Sequence, residues 1–231
     1  MGAIIVSETV APSGLSKRAT RQTAPASAIT TASRAMSDAP PAYVTREQVR
    51  AMVVACETMR DRLLIETLWQ SGGRVSEVLG IRVRDLDRTE GGLWLTNLKQ
   101  RGKRRHVKLV YVSRDLVASL ATWARDQRFA PEAHLFQSRQ GDGTKPLTRQ
   151  RLLQLVNDLA TRAGVVIEGR DGPRPATGRD FRHGAAVHLL RSGQPLTEVQ
   201  AHLGHARIET TTIYTRLTNA ERRNLADRVA W

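Results

Sequence analysis

The chain has 231 residues, of which 40% are hydrophobic, so it can hold one large domain or two small ones with a real core. Its 36 lysines and arginines outnumber 22 acids, and the formal net charge of +14 indicates a polyanionic partner, most simply nucleic acid. The single cysteine, Cys56, excludes a disulfide framework or thiolate zinc site within one chain and suits a reducing cytoplasm, and no apolar run approaches the roughly 20 residues that span a bilayer.

The first 42 residues are rich in Ala, Ser, Thr and Pro and have little apolar periodicity. Such a composition predicts a disordered arm rather than a packed domain. The folded domain is therefore expected to run from residue 43 to residue 231.

Three helices are predicted at the start of this domain. Thr45-Arg46-Glu47-Gln48 fits a capping box and predicts a helix to about Cys56. A second helix is predicted from about Arg60 to Ser71, because its leucines fall on one face, and Gly72-Gly73 ends it. A short helix at 74–79 follows.

From Gly92 the apolar period changes to two, which predicts a strand, a turn at 100–103 and a returning strand at 104–112. Ser113 is expected to cap a helix to about Gln127, and the leucines between 152 and 163 recur at helical spacing. Residues 165–176, with two glycines and two prolines, are predicted to form a loop. Further helices are expected at about 178–192, 196–203, 207–215 and 218–228. The predicted fold class is mainly α with a small antiparallel β-hairpin, an α+β fold.

The predicted hairpin is strongly basic. Within ten residues it carries six cations and no acid: Lys99, Arg101, Lys103, Arg104, Arg105 and Lys108. Such a hairpin can follow a phosphate backbone, and it can also be a solvated basic turn. A lysine on it could donate a proton to a departing alkoxide, provided that nearby cations lower its pKa.

Two arginine motifs invite the same pair of interpretations. Arg74 begins a short helix, and Glu77 stands three residues further on. The two side chains form either a local ion pair or an arrangement in which the carboxylate orients the guanidinium toward a phosphate. Arg179 and Arg182 share one helix face, which calls for an anion or for carboxylates such as Asp180 to hold them.

The last third contains a histidine and a tyrosine with catalytic potential. His202 and His205 have a spacing seen in some metal sites, but no cysteine or carboxylate cluster joins them, so no metal is expected. Tyr214 follows His205 by nine residues. It is either a half-buried core tyrosine or a phenol that attacks a phosphodiester while cations neutralise the phosphate.

Taken together and in order, these motifs resemble the tyrosine recombinases, or phage-integrase family, over roughly residues 43–228. The stretches that carry the resemblance are Ser71-Gly72-Gly73-Arg74-Val75-Ser76-Glu77-Val78-Leu79, the basic hairpin, 179–190, and Val199-Gln200, Leu203-Gly204-His205, Thr211-Thr212 and Tyr214-Thr215.

The resemblance implies specific roles. Arg74 and Arg182 match the family's two catalytic arginines, His205 its third-motif histidine and Tyr214 its nucleophile. Lys99 lies nearest the position of the catalytic lysine, with Lys103 as the alternative. Arg179 stands where the family usually has a histidine, so this position is expected to hold phosphate rather than to accept a proton. Arg101, Lys103, Arg104 and Arg105 are expected to bind DNA.

The resemblance also implies an activity: site-specific DNA cleavage and rejoining through a 3′-phosphotyrosyl intermediate, without metal, cofactor or ATP. Two alternatives stay open, a non-catalytic DNA-binding relative and a type IB topoisomerase-like or telomere-resolvase activity. The expected partners are double-stranded DNA, further copies of the chain in a tetramer on that DNA, and a partner recombinase or accessory protein. A nucleoid-associated location in the cytoplasm is expected, and the family's usual N-terminal clamp domain is expected to be missing.

Overall fold

The computed structural model describes residues 42–97, 106–138, 145–169 and 172–204, all of them in one compact unit. The predicted N-terminal arm, the predicted hairpin turn and the last two predicted helices lie outside the described residues. Of the helices that the structure describes, none is both long enough and apolar enough to cross a membrane.

The described chain is mainly helical with two small antiparallel sheets, so the predicted fold class is confirmed. The helices are α1 (Arg46–Val54), α2 (Met59–Ser71), α3 (Val75–Leu79), α4 (Arg114–Asp126), α5 (Arg149–Arg162), α6 (Gly178–Arg191) and α7 (Leu196–Leu203). A 3-10 turn covers Val83–Asp85. The strands are β1 (Leu86–Asp87), β2 (Gly92–Asn97), β3 (His106–Tyr111), β4 (Ile167–Gly169) and β5 (Gly172–Arg174).

The predicted capping box begins α1. The Thr45 hydroxyl accepts a hydrogen bond from the amide of Gln48, and the Gln48 side-chain oxygen accepts one from the amide of Thr45. The helix ends at Val54 rather than at the predicted Cys56, because the amide of Cys56 bonds to the carbonyl three residues back and the last turn tightens.

Helix α2 packs against α1, α4 and α6. The apolar face predicted from its sequence is buried, and Leu63, Leu64 and Leu68 are at most 1% exposed. Burying each such side chain contributes about 1.5–3 kcal/mol. This packing fixes the point where α2 ends, which matters because Arg74 follows three residues later.

Gly72 ends α2 with a left-handed backbone, at φ +53°. A Cβ atom at this position would lie 2.6 Å from Cδ2 of Leu203, the last residue of α7. Glycine is therefore required twice, once for the backbone conformation and once for the close approach of α7.

The predicted hairpin strands belong to a three-stranded sheet in the order β1-β2-β3. Leu93 and Leu95 of β2 are buried against the helices, while Trp94 between them is 40% exposed, as the predicted alternation requires. The strand β1 was not predicted, because two residues are too few to show an alternation. The register pairs Leu95 with Lys108 across β2 and β3.

The prediction of a loop at 165–176 was wrong. Strands β4 and β5 form an antiparallel pair there, with Ile167 opposite Arg174 and Gly169 opposite Gly172. Ile167 is 1% exposed and anchors the pair to the core. The sequence hides this pair because each strand has only three residues and contains a glycine, and β5 also contains a proline.

Helices α6 and α7 form a small apolar cluster of their own, made of Ala186, Val187, Val199 and Leu203. Because Leu203 is the last residue of α7, this cluster fixes the C-terminal end of α7 beside the end of α2. Strand β3 also contacts α7. The ends of two helices and one strand therefore meet in one place.

Candidate active site

Arg182 lies at this meeting point and is only 8% exposed. Its Nη1 donates a hydrogen bond of 2.7 Å to the carbonyl of Gly72, and its Nη2 donates one of 2.9 Å to the carbonyl of Leu203. Gly72 stands two residues before Arg74, and Leu203 stands two residues before His205. One guanidinium thus joins three of the motifs that the sequence analysis singled out.

Arg74 immediately precedes α3, and the predicted pair with Glu77 is present. The Nη1 of Arg74 lies 2.7 Å from Oε1 of Glu77, and the backbone amide of Arg74 donates to Oε2 at 2.9 Å. The Glu77 side chain is 2% exposed, whereas the Arg74 side chain is 31% exposed. The buried carboxylate therefore orients a guanidinium that still faces solvent.

Lys108 is the member of the site that sequence reasoning missed. It lies on β3, and its Nζ donates to the carbonyls of His202 at 3.1 Å and Leu203 at 2.8 Å. Burial, opposed by Glu77 and aided by the charges of Arg182 and Arg74, lowers the pKa of this ammonium group to about 8. From the sequence alone, Lys108 is only one of six cations in the predicted hairpin.

A signal for Lys108 was available in the sequence. Strand residues two apart share a face, and Val110 is an apolar residue of the same predicted strand. Counting back by two places Lys108 on the inward face, where a lysine needs acceptors. The exposed residues Val107 and Tyr111 fall on the other face.

Arg74, Lys108 and Arg182, together with the carboxylate of Glu77, are called the cation cluster below. The last carbonyls of α7 point at two of these cations, as suits the negative end of a helix dipole. Gly204, at φ +68°, ends α7, and a Cβ at this position would lie 2.7 Å from the Nζ of Lys108. The Leu-Gly-His motif therefore has its glycine where a lysine amine packs against the backbone.

His202 is bound to the end of α2, because its Nε2 lies 3.0 Å from the carbonyl of Gln70. Burial lowers the pKa of this imidazole, the bond to Gln70 opposes the shift, and Lys108 and Arg182 add to it. Among the residues described, no three His, Cys, Asp or Glu side chains are grouped so as to hold a metal ion.

Arg179 lies exposed in the first turn of α6, one turn before Arg182. Asp180 between them bonds instead to Arg174 at 2.7 and 2.8 Å and to Thr177. Burial alone would raise the pKa of Asp180, but the bonds from Arg174 and Thr177 outweigh it and hold the pKa below its ordinary value. The Asp180 carboxylate thus caps α6 and does not need Arg179 as its partner.

His183 is the next residue after Arg182. Burial lowers its pKa to about 4, Asp180 opposes the shift, and the charges of Arg179, Arg182 and Arg174 favour it. The imidazole is therefore neutral near pH 7 and adds no charge to the cation cluster.

Of the predicted catalytic residues, Arg74 and Arg182 are brought together, and Arg179 lies one helical turn from Arg182. Lys99, His205 and Tyr214 lie outside the described residues, as do the predicted DNA-binding residues Arg101, Lys103, Arg104 and Arg105. The described part of the site can neutralise an anion, because the surroundings of Lys108 include two guanidinium groups and one carboxylate.

The fold and the cation cluster together define a mainly helical domain with three cationic side chains at the meeting point of three sequence motifs. The chain belongs to the phage integrase family, whose model matches residues 42–221. Tyrosine recombinase XerC of Xanthomonas campestris pv. campestris is 36% identical over 199 residues, which make up 84% of this chain and 56% of that protein. The chain thus spans a little over half the length of this relative.

Solved structures show the same fold. XerA recombinase superposes with a TM-score of 0.65 at 23% identity, covering 82% of this chain and 65% of the other. XerH site-specific recombinase, solved with its difH substrate before cleavage, gives a TM-score of 0.61 at 24% identity, covering 79% of this chain and 52% of the other. At these identities the likeness shows a shared fold.

Proposed function

We propose that the chain is the catalytic part of a site-specific DNA recombinase that cleaves and rejoins DNA through a 3′-phosphotyrosyl intermediate, without metal or ATP. The observation that carries this proposal is the position of Arg182, whose guanidinium bonds to the backbone two residues before Arg74 and two residues before His205. Membership of the phage integrase family supports the reaction class.

The proposed cleavage step is an in-line displacement at phosphorus. The Tyr214 phenol gives up its proton to solvent and its oxygen forms a bond to phosphorus, while the bond from phosphorus to the 5′ oxygen breaks and the 5′ oxygen leaves with a proton from Lys99 or Lys103. Arg74 and Arg182 neutralise the charge that builds on the other phosphate oxygens, and His205 and Arg179 donate further hydrogen bonds. A preorganised donor of this kind is typically worth about 3–4 kcal/mol.

Rejoining is the reverse step. A 5′ hydroxyl from a second duplex attacks the phosphotyrosine, and Tyr214 leaves as the phenol. The number of phosphodiester bonds is unchanged, so the bond energy is kept and no ATP is consumed. No step requires a metal, because the cations of the protein carry the charge that a metal would otherwise neutralise.

The proposed partner is double-stranded DNA. Structural neighbours have been solved on DNA, including XerH with difH and a lambda integrase dimer on a core site. Arg101, Lys103, Arg104 and Arg105 would bind its phosphates, and four copies of the chain would assemble on one recombining pair of sites, with or without an accessory protein. Such an enzyme acts at the nucleoid, in the cytoplasm.

Covalent trapping tests this function. A nicked duplex that carries the DNA flanking the gene loses its short 5′ fragment after cleavage, so the phosphotyrosine accumulates as an SDS-resistant adduct. Wild-type protein should form the adduct, and Tyr214→Phe should form none while it still binds the duplex. Tyr111→Phe is the matched control, because Tyr111 is 59% exposed and its hydroxyl is not part of the proposal.

Three results would point elsewhere. An adduct from Tyr214→Phe would remove Tyr214 as the nucleophile. A wild-type protein that binds the duplex and forms no adduct would be the non-catalytic DNA-binding relative. Relaxation of a supercoiled plasmid without any target site would indicate a topoisomerase-like enzyme instead.

A further inference from the structure

Lys108 occupies an unusual place for a lysine. It stands on the inward face of β3, opposite Leu95, and its Nζ makes two hydrogen bonds to backbone carbonyls rather than to a carboxylate. Lys108 is partly buried, and an ammonium group taken out of water needs polar groups that replace that water. The proposed chemistry assigns Lys108 no role, since the leaving oxygen receives its proton from Lys99 or Lys103.

The two carbonyls belong to the last two residues of α7, His202 and Leu203. The Leu203 carbonyl also accepts from Arg182, so two cations from two different elements bind one oxygen. Two residues beyond it along the chain stands His205. The side chains that bind the end of α7 therefore also fix the position of the backbone from which the chain continues to His205.

We propose that Lys108 is a positioning residue for the strand-transfer reaction. Its ammonium group clamps the C-terminal end of α7 against Arg182, and so fixes the backbone that leads to His205. This inference rests on the proposed function, because His205 has a catalytic role only in that reaction.

The surroundings of Lys108 make the clamp sensitive to pH. The charged and titratable groups that act on it are Glu77 on α3, Arg182 on α6, His202 on α7 and Arg74 ahead of α3. Of these, only Glu77 favours the charged form of Lys108, and burial opposes it. Because the pKa of Lys108 is about 8 against an ordinary value of 10.5, this side chain is mostly an ammonium ion at pH 7 and mostly a neutral amine, with two N–H donors left, above pH 8.

Gly204 supplies a second, independent sign that the contact is built in. A side chain at position 204 would collide with Nζ, Cε and Cδ of Lys108 at 2.7–3.0 Å. The lysine thus packs along its whole outer half against the backbone that it binds.

Three variants and one backbone measurement test the inference. Lys108→Met removes the ammonium and keeps an unbranched apolar chain, Lys108→Arg keeps the charge, and Lys145→Met is the matched control at an exposed lysine. Amide hydrogen exchange of the peptide covering 200–206 reports the end of α7 directly. At pH 7, Lys108→Met should lower the protection of this peptide about tenfold, the effect of one charge-assisted hydrogen bond, with smaller changes for Lys108→Arg and none for Lys145→Met.

The pH profile separates positioning from simple loss of structure. An opening of the end of α7 that exposes Lys108 lets this lysine take up a proton above pH 8, so the protection of the same peptide in the wild type, compared with Lys108→Arg at each pH, should rise between pH 8 and pH 10.5. In Lys108→Met, the rate of adduct formation on the nicked duplex should fall at unchanged duplex affinity.

Two outcomes would overturn the inference, namely unchanged protection at 200–206 in Lys108→Met, or lowered protection with an unchanged adduct rate. A wild type that forms no adduct at all, while Lys108→Met still loses protection at 200–206, would count against the proposed function and not against the clamp.

Discussion

At the scale of single residues, the site is held together by side chains that bind backbone. Arg182 and Lys108 donate to carbonyls of Gly72, His202 and Leu203, and Glu77 accepts from the amide of Arg74. Each of these bonds joins a charged group to a peptide group whose position is set by a helix end. The geometry of the site therefore depends on where α2, α3 and α7 begin or end.

The free energy of unfolding should depend on pH because Lys108 is partly buried. The pKa of Lys108 is about 8 in the folded chain against an ordinary value of 10.5, so between these values the unfolded chain binds a proton that the folded chain has released. The free energy of unfolding should therefore rise with pH across this window, by up to about 3 kcal/mol, with the full penalty of burying the charge present below pH 8.

Urea unfolding at several pH values between 7 and 10.5 measures this effect. Lys108→Met provides the baseline, since its own pH dependence comes from all the other groups. The difference in unfolding free energy between the two proteins should change with pH in the stated direction. A difference that stays constant across the window would show that Lys108 is not buried as described.

The sequence identified part of the site, and the division has a physical reason. The pair of Arg74 and Glu77 could be predicted because both residues lie within one helical turn. The acceptors of Arg182 and Lys108 could not, because they are main-chain atoms 110 and 21 positions from Arg182 and 94 and 95 positions from Lys108. Every residue has a backbone carbonyl, so the amino-acid sequence does not indicate which carbonyl accepts a hydrogen bond.

At the scale of elements, the meeting of α2 and α7 is the contact on which the site depends. Gly72 has a left-handed backbone and lies against Leu203, whereas Gly164 has the same kind of backbone, at φ +63°, with nothing within 4 Å of its added Cβ. Substituting Gly164 therefore tests the left-handed backbone strain alone, whereas substituting Gly72 tests this strain together with the steric clash against Leu203.

Gly72→Ala should destabilise the protein by more than Gly164→Ala. The second variant carries only the left-handed strain, about 1–2 kcal/mol, and the first adds the displacement of α7 by a Cβ placed 2.6 Å from Leu203. Denaturant midpoints of both variants and the wild type measure the difference. Equal destabilisation would mean that α7 moves away from α2 freely, and would weaken the account of how Arg182 is placed.

Helices with a local start and stop signal were the easiest elements to predict. Thr45, Ser113 and Gly72 mark their helix ends through their own side chains or backbone, and the bounds agree within a few residues. The strands β1, β4 and β5 were missed because they have two or three residues each, and their pairing partners decide their conformation. The extended conformation of these residues therefore depends on tertiary contacts, which cannot be read from the local sequence.

At the scale of the whole molecule, the charge of +14 should make DNA binding strongly dependent on salt. Each phosphate that the protein neutralises adds about 0.9 to the slope of log K against log salt concentration. Replacing Arg101, Lys103, Arg104 and Arg105 together by Gln should therefore reduce the slope by up to about 3–4 and weaken binding to all sequences alike.

Fluorescence anisotropy with a labelled duplex at several salt concentrations gives these slopes. Arg125 in the last turn of α4 and Arg128 just after this helix provide a control in which exposed arginines are lost elsewhere. An unchanged slope after the fourfold substitution would remove the basic hairpin from the DNA interface. A flat dependence in the wild type would argue against a polyanion as the partner.

The shared oxygen at position 203 has a practical consequence for mutagenesis. Every amino acid has the same backbone carbonyl oxygen, so substituting Leu203 by alanine leaves this acceptor in place. An alanine scan of α7 therefore measures the packing of the leucine side chain and not the contribution of the carbonyl. Only the donors can be deleted, one from β3 and one from α6. Side-chain truncation would therefore show an effect at Arg182 and Lys108, and it would not reveal that both side chains bind the carbonyl oxygen of Leu203.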